Sequence, residues 1–344
     1  SSNSLVQNFE ISGQPRLRHE QSKSRLESVE AQLAAVRRQV ASEVCRAWLE
    51  LWESGQLHRL AELRARLMAE VVRVGGRRYD VGEIPRNETL RLELAAAEAE
   101  ADRERTKAVY MAAVRSFELL RELGSSEPLE PVLTPDNLED LLRVASLAPE
   151  SEPWTLEQAL AATETQPSVV ALLAEHEVAR KDAELIAKER APQLGLSLYQ
   201  SRFFGHGIER GAQLSLSFPL FDWGDIKARK RSQEALAQAH IAAAEERVLE
   251  LRRQVAERWN RWQAARAVRE ILVEQAKRYQ ELASKARVGY DLGMLTLTDV
   301  LQTEAAFREA GIELIQAQAD VYRLELDLLE KTALPWPKNL LEDL

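Results

Sequence analysis

The chain contains one cysteine, Cys45, in 344 residues. A single cysteine excludes an intramolecular disulfide and a cysteine-based metal site. The five histidines are scattered, and none has a second histidine four residues away, the spacing typical of zinc ligands on a helix. No nucleophile elbow, phosphate-binding loop or carboxylate–histidine cluster is present. We therefore expect no catalytic residue, no cofactor site and no metal site, and we expect that the protein is not an enzyme.

Long apolar runs and an excess of basic charge are also missing. No apolar stretch approaches the roughly 20 residues of a membrane-spanning helix, and the opening SSNSLVQNFE lacks the basic start and apolar stretch of a signal peptide. The net charge is -9, and the charged residues alternate along the chain rather than forming blocks, a pattern typical of solvated helix faces. We expect no nucleic-acid partner.

The sequence does contain an internal repeat. When the chain is aligned with itself, identical residues coincide at a constant separation of 211 positions without a gap, which predicts two structural repeats. The matching pairs are Gly13 and Gly224, Val44 and Val255, Trp48 and Trp259, Tyr79 and Tyr290, Asp80 and Asp291, Gly82 and Gly293, and Leu90 and Leu301.

Each repeat predicts a short strand followed by two long helices. Apolar residues recur at steps of three and four over 251–286 and 297–329, which indicates one apolar stripe on each helix. The first of these helices is expected over about 224–287, roughly 60 residues or about 90 Å of helix. The equivalent helices of the first repeat are expected over about 15–74 and 87–123. Both pairs are predicted to form antiparallel coiled-coil hairpins.

The repeats divide the chain into four parts. These are a first repeat at 1–123, a connector rich in proline and serine at 124–154, a second repeat at 155–332 and a C-terminal tail at 333–344. A short helix is expected at about 137–147. Thr155 is expected to cap another helix, which breaks near Pro167 and resumes to about Arg190.

A β-hairpin is predicted at 193–222, with GHGIERG (205–211) as its glycine-rich loop. LVQNFEI (5–11) predicts a third strand. In the hairpin, apolar residues alternate with small and polar ones. Its apolar face can pack on a soluble core or face lipid in a membrane β-barrel, and periodicity leaves both open. The apolar residues are Leu194, Leu196, Leu198, Leu214, Leu216, Phe218 and Leu220.

The order of strand, long helix, YxxG turn and long helix, found in duplicate, resembles the TolC family of outer-membrane efflux proteins. The stretches SLSFPLFDWGDIKARKRSQEALAQA (215–239) and GYDLGMLTLTDVLQTEAAF (289–307) carry the resemblance. QNFEISGQPRLR (7–18) looks closest to the branch that includes CzcC and CusC, which serve heavy-metal efflux. The resemblance implies a mainly α protein with a small β part, whose strands contribute to a trimeric β-barrel in the bacterial outer membrane and whose helices extend into the periplasm.

The function implied by the resemblance is that of a passive conduit in a tripartite efflux system, exporting small molecules or metal ions. Its implied partners are two further copies of the chain, a periplasmic adaptor protein, an inner-membrane pump of the RND type, and outer-membrane lipid. Residues 155–211 have no counterpart in the first repeat, so we expect a signal peptide, an N-terminal helix and a first strand before residue 1. The alternative, which long amphipathic helices alone would allow, is a soluble coiled-coil scaffold or tether.

The resemblance also assigns candidate site residues. The turns at 79–90 and 290–301 would lie together at the periplasmic tip, where Gly82 and Gly293 are expected to adopt positive φ. Tyr79 and Tyr290 are expected to belong to the same tip, which would contact the adaptor. An entrance constriction is expected from Glu88, Asp299 and Gln302. The alternative for Asp299 is an exposed acid that interacts with a helix dipole.

Overall fold

The computed structural model describes residues 2–10, 12–121, 154–202, 208–217 and 221–335, most of which are helical. Within these ranges, no helix is long and apolar enough to cross a membrane. The elements are β1 (Ser2–Glu10), α1 (Gln14–Asp80), α2 (Arg86–Arg121), α3 (Leu156–Ala161), α4 (Pro167–Ala187), β2 (Gln193–Arg202), β3 (Ile208–Ser217), α5 (Asp225–Asp291) and α6 (Leu297–Lys331), with a 3-10 turn at Lys188–Arg190.

The predicted helical hairpins are confirmed, and their boundaries repeat along the chain. Helices α1 and α5 each contain 67 residues. The starts of α1 and α5, their ends, and the starts of α2 and α6 are all separated by the 211 positions found in the sequence. The internal repeat is therefore present in the helix lengths as well as in the residue identities.

The chain forms two compact units. The first comprises residues 1–37 and 160–253 and contains an antiparallel sheet of order β1-β2-β3. Phe9 pairs with Leu194, which pairs with Leu216, so these residues share one face of the sheet. Leu5 and Leu198 pair on the same face.

This apolar face is not covered by the described part of the first unit. Leu5 and Leu214 are each 69% exposed and Leu216 is 60% exposed, whereas Leu194 is half-buried. On the hairpin strands, the other face carries Ser197, Gln213 and Ser215, while Val6 of β1 pairs with Ser197 on that face. The alternation predicted for the hairpin is therefore present, with its apolar side open.

The helical part of the first unit is held together by α4. Pro167 occupies its first turn, and the side chain of Gln166 accepts a hydrogen bond from Ser168 N, which explains why the preceding helix breaks at this point. Lys181 of α4 donates to Glu20 of α1 at 2.8 Å. On the other side, the carbonyl oxygen of Ala237 in α5 lies 2.9 Å from His176 Nδ1. Helix α4 therefore contacts the N-terminal parts of both long helices.

The second unit comprises residues 38–159 and 254–344. It contains the C-terminal parts of α1 and α5 together with α2 and α6. Ile315 and Leu329 of α6 are fully buried, as is Val255 of α5, and burying such side chains stabilises by about 1.5–3 kcal/mol each. Polar contacts add to this packing: Ser42 Oγ of α1 donates to Glu330 of α6 at 3.0 Å.

Several predicted boundaries differ from the structure. Helix α1 continues to Asp80 and α5 to Asp291, beyond the predicted ends near residues 74 and 287. The glycines at 75 and 76 therefore do not end α1. The chain leaves the helix only where Gly82 adopts positive φ, since that conformation cannot continue a right-handed helix.

The β-hairpin is also shifted from its predicted position. Strand β3 begins at Ile208, inside the predicted loop 205–211, because pairing of Ile208 with Arg202 extends the ladder. Residues 221–222 are not in a strand. Phe218, Leu220, the predicted helix at 137–147 and most of the connector and tail lie outside the described residues.

Candidate functional site at the helical turns

The two helix-to-helix turns of the second unit have the same backbone geometry. Gly82 has φ +79° and Gly293 has φ +72°, as expected from the sequence. Gly82 N donates to Tyr79 O at 2.9 Å, and the next amide reaches back to Arg78 O at 2.8 Å. Gly293 N makes the equivalent bond to Tyr290 O at 3.0 Å. This pair of bonds is a Schellman motif, in which a positive-φ glycine closes the helix end.

The start of α6 is fixed by side chains. Thr296 Oγ1 accepts a hydrogen bond from Asp299 N at 3.3 Å, and the carboxylate of Asp299 accepts one from Thr296 N at 2.9 Å. These reciprocal bonds form a capping box. The hydrogen bonds from Thr296 hold the pKa of Asp299 below its usual value. Asp299 therefore has a structural role at the helix start.

The start of α2 lacks this arrangement. The position equivalent to Thr296 is Pro85, which has no side-chain hydrogen-bonding group. Glu88, equivalent to Asp299, donates its backbone N–H to Pro85 O at 3.0 Å. The adjacent Ile84 is buried, and Thr89 Oγ1 donates to Arg86 O at 2.7 Å. The first turn is therefore held by packing and backbone bonds rather than by a capping box.

The two turns are neighbours within the second unit. The guanidinium of Arg78 in α1 lies over the ring of Tyr290 in α5, with Cζ 4.8 Å from the ring centroid, a cation–π contact. Arg91 of α2 reaches Thr298 of α6 at 3.5 Å. These contacts bring the two hairpin ends together at one end of the unit.

Of the predicted constriction residues, Glu88 lies in the first turn of α2 and Asp299 in the first turn of α6, and Gln302 follows three residues after Asp299. Asp299 and Gln302 are exposed, and Glu88 is half-buried. Tyr79 is 40% exposed, and its ring lies 5.8 Å from Cζ of Arg86. The capping role of Asp299 could have been read from the spacing Thr296-x-x-Asp299.

One cluster farther along the helices of this unit was not predicted. The carboxylate of Asp102 in α2 accepts hydrogen bonds from Arg64 of α1 at 2.9 Å, from Arg308 of α6 at 3.0 Å and from Arg105 of its own helix at 3.1 Å. Asp102 thus joins three helices and links the two hairpins. Arg64 and Arg308 lie far from Asp102 in the sequence among many similar charges, so no local pattern marks these two partners.

A second unpredicted feature is the close approach of α1 and α2 above the first turn. A Cβ atom at Gly75 would lie 2.3 Å from Leu92 Cδ1, and Leu92 is only 2% exposed. The equivalent positions in the second repeat are Ala286 and Thr303. The first repeat therefore pairs glycine with the larger leucine, and the second repeat pairs the larger alanine with the smaller threonine.

Comparison with known proteins identifies the class to which this architecture belongs. Residues 159–332 match the family described as Outer membrane efflux protein. This match spans half of the chain, and the chain belongs to that family. It is accordingly a component of an outer-membrane efflux channel and not an enzyme. A search of curated protein sequences found no match.

Solved structures share the fold over nearly the whole chain. CusC superposes with a TM-score of 0.73 at 16% identity, covering 96% of this chain and 77% of CusC. A membrane protein from Pseudomonas aeruginosa gives 0.71 at 18% identity, covering 95% and 76%. The open-state outer membrane channel MtrE from Neisseria gonorrhoeae gives 0.68 at 18% identity, covering 96% and 79%. At these identities the comparison establishes the fold, which is that of TolC-like outer-membrane channels.

Proposed function

We propose that this chain is the outer-membrane component of a tripartite efflux system, in which three copies form a passive conduit. The proposal is supported most strongly by two features found together in a member of the efflux family. The sheet has an exposed apolar face, and the long helical hairpin occurs twice, once in each repeat. Substrates would pass along a water-filled interior without covalent chemistry, so lining, aperture and partner docking would set the function.

The apolar sheet face is the proposed lipid contact. Leu196, Leu198, Leu214 and Leu216 are exposed in the chain, and together with Leu194 they would face lipid hydrocarbon in the assembled barrel. Phe218 and Leu220 extend the same alternation in the sequence. Charged substitutions on a lipid face cost about 2–4 kcal/mol at the bilayer midplane. We expect Leu214→Arg to reduce the yield of membrane-inserted trimer far more than Gln213→Arg, which changes the opposite face.

The paired turns are the proposed docking surface for the periplasmic adaptor. Tyr79 is partly exposed, and Gly82 and Gly293 expose the backbone at the closing turns. The contacts of Arg78 with Tyr290 would hold the two turns in one orientation for recognition. Cross-linking from Tyr79→Cys should capture an adaptor and an RND-type pump if the system is tripartite, and Gly55→Cys, within the helical body, serves as the control position.

We further propose that Asp299 and Glu88, brought together by three-fold symmetry with Gln302 nearby, form an acidic entrance that attracts cations. Because Asp299 also caps α6, its charge must be removed without removing the acceptor oxygen. Asp299→Asn and Glu88→Gln meet that requirement. In single-channel recordings both should lower cation selectivity, whereas Glu313→Gln, an exposed acid farther along α6, should change it less. Equal selectivity in all three variants would contradict an acidic entrance.

The first experiment concerns the assembly itself. The complete gene product would be extracted from outer membranes in mild detergent, weighed by light scattering and reconstituted in a planar bilayer. A trimer that opens water-filled channels is the expected result. A monomer or dimer that needs no detergent would contradict the conduit and favour a soluble scaffold.

The cargo is proposed to be metal ions or other small molecules. The stretch 7–18 favours the branch that includes CusC, but the fold is shared with MtrE as well, so branch membership needs a test of its own. Deletion of the gene should raise sensitivity to heavy metals if the branch assignment holds. Sensitivity to organic compounds alone would contradict that branch and leave the conduit in place.

A further inference from the structure

The apolar face of the sheet ends in a polar row at the end of the sheet farthest from the long helices. Strand β1 leads into α1 and β3 leads into α5, so this far end is the one that carries the connection between β2 and β3. On the apolar face, Leu198 pairs with Ala212, and in the next row Gln200 pairs with Arg210. The side chains of Gln200 and Arg210 are exposed. An amide and a guanidinium therefore follow directly on the last apolar row.

The position of Arg210 matches the thickness of a membrane's apolar layer. In the sequence, the apolar alternation of the second hairpin strand runs from Ala212 to Leu220. This is about 27 Å of extended chain, or roughly 20 Å across a membrane at the usual strand tilt. The outward apolar band of a membrane barrel is about 25 Å tall. The guanidinium of Arg210 therefore falls at the level of the lipid headgroups when the apolar face lies in hydrocarbon.

The chain itself supplies no counterion for this arginine in its described part. Within those ranges, neither the side chain of Arg210 nor that of Gln200 has a hydrogen-bond or ion-pair partner. The segment 199–214 contains two arginines and a single acid, Glu209, although the net charge of the chain is -9. Glu209 pairs with Ser201, in a row that belongs to the other face of the sheet. A cation is thus left for a partner outside the chain.

The arginines at the near end of the sheet are arranged differently. Arg190 donates to Asp222 at 2.8 Å. Arg229 donates to Asp225 at 2.8 Å and to Glu189 at 3.0 Å. Carboxylates of the same unit therefore neutralise both of these arginines. An arginine without a carboxylate partner is a property of the far end and not of both borders of the sheet.

The polar row and the apolar residues beside it line one shallow groove. Its volume is about 610 Å³, and its lining includes Leu5, Leu198, Gln200, Arg210 and Ala212. A guanidinium presents a planar fork of donors that fits phosphate oxygens, and the amide of Gln200 adds further donors. Residues directly opposite on neighbouring strands have Cβ atoms about 5 Å apart, so both side chains can reach one phosphate. Leu5 and Leu198 offer an apolar surface to a hydrocarbon chain.

We infer that Arg210 and Gln200 bind the phosphate of an anionic lipid in the leaflet at the far end of the sheet, with an acyl chain against Leu5 and Leu198. This site deepens the proposed function and rests on the proposed membrane location of the sheet. The net charge of the headgroup decides the preference, since a zwitterionic headgroup carries its own cation, which repels the guanidinium. Each copy of the chain presents one such site.

Native mass spectrometry of the full-length trimer measures this preference. The trimer would be released from micelles that contain equal amounts of phosphatidylglycerol and phosphatidylcholine with the same acyl chains, and the retained lipids would be counted. The native sequence should retain phosphatidylglycerol in preference to phosphatidylcholine. Arg210→Gln should reduce that preference by about fivefold, the contribution of one basic residue near an anionic membrane surface.

Two further variants separate the guanidinium from charge in general. Arg210→Lys keeps the charge but loses the planar fork, so it should retain part of the preference for phosphatidylglycerol. Arg115→Gln removes the same charge from an exposed position of α2 and should leave the preference unchanged. Equal losses from Arg210→Gln and Arg115→Gln would show that only the net charge of the trimer matters, and would overturn the site.

The remaining outcomes distinguish this site from the proposed function and from a site for free phosphate. A trimer that conducts, but whose lipid preference is absent or is unchanged by Arg210→Gln, would overturn the inference and leave the conduit standing. Inorganic phosphate that displaces phosphatidylglycerol more than sodium chloride of equal ionic strength would overturn the lipid assignment. Retention of the lipid in both salts supports it. Protein that forms no trimer and does not conduct would overturn both the conduit and the site.

Discussion

Gly75 and Gly76 are adjacent in α1, and replacing each with alanine separates helix propensity from packing. Both substitutions remove a helix-interior glycine, which favours the folded state by up to about 1 kcal/mol. They differ in what the new methyl group meets. A Cβ at Gly76 has nothing within 4 Å, whereas a Cβ at Gly75 would lie 2.3 Å from Leu92 Cδ1. The difference in stability between the two variants therefore reports the packing of α1 against α2.

The expected magnitude follows from the freedom of Leu92. Its Cδ1 is the end of a flexible side chain, but the residue is 2% exposed, and Ile84 beside it is also buried. Rotation away from Gly75 therefore pushes Leu92 into occupied space. Overpacking of this kind costs about 1–3 kcal/mol. We expect Gly76→Ala to be neutral or stabilising, and Gly75→Ala to be less stable than Gly76→Ala by that amount.

Thermal unfolding of the detergent-solubilised protein measures the difference, which corresponds to at least about 2 °C in melting temperature. The second repeat supplies a rescue, since Ala286 and Thr303 occupy the positions of Gly75 and Leu92. The double variant Gly75→Ala/Leu92→Thr should recover most of the loss caused by Gly75→Ala, beyond the sum of the single effects. Equal melting temperatures for Gly75→Ala and Gly76→Ala would refute the close approach of the two helices.

Substitutions at three other positions test the helical unit. Asp299→Ala should lower the melting temperature more than Asp299→Asn, because asparagine keeps an oxygen for the cap of α6; equal losses would contradict the capping box. Burial raises the pKa of Glu325 to about 7 against the attraction of Arg266, so the folded state binds a proton that the unfolded state releases near pH 4.5. Stability should fall by about 3 kcal/mol as the pH rises from about 4.5 through 7, and Glu325→Gln should remove that slope in melting temperature. Asp102→Ala leaves the half-buried Arg64 without its carboxylate and should cost about 1–3 kcal/mol, with Asp102→Asn losing less; no loss in denaturant unfolding would show that the cluster does not stabilise the unit.

The four long helices could be predicted from sequence because each carries a continuous apolar stripe and the repeat gives each of their assignments twice. Boundaries were less predictable. Gly75 looks like a helix stop and is instead a packing position, a distinction that depends on Leu92 in another helix. The start of β3 was missed because residues of a glycine-rich stretch pair with β2, and pairing is a property of two segments rather than one.

At the candidate site, features that depend on neighbouring residues could be predicted from the sequence, whereas features that depend on residues distant along the chain could not. Gly82 and Gly293 could be found because positive φ at a helix end is a local backbone requirement. The cap of α6 was also local, since Thr296 and Asp299 are three residues apart. Arg64 and Arg308 of the Asp102 cluster lie more than 30 and about 200 residues from Asp102 along the chain, and no sequence pattern distinguishes these two arginines from the many others.

The two repeats differ most in the side chains at the helix starts, although the corresponding helices have equal or nearly equal lengths. Thr296 caps α6, while Pro85 leaves α2 to be held by packing; Trp223 occupies the turn before α5, while Ser12 precedes α1. If these side chains determined helix length, α1 and α5 would end at different positions, yet both have 67 residues. Length is therefore set by the shared apolar stripes and closing glycines, which keep both turns level at one end of the unit. The side chains at the helix starts can therefore differ between the two hairpins without changing the position of either turn.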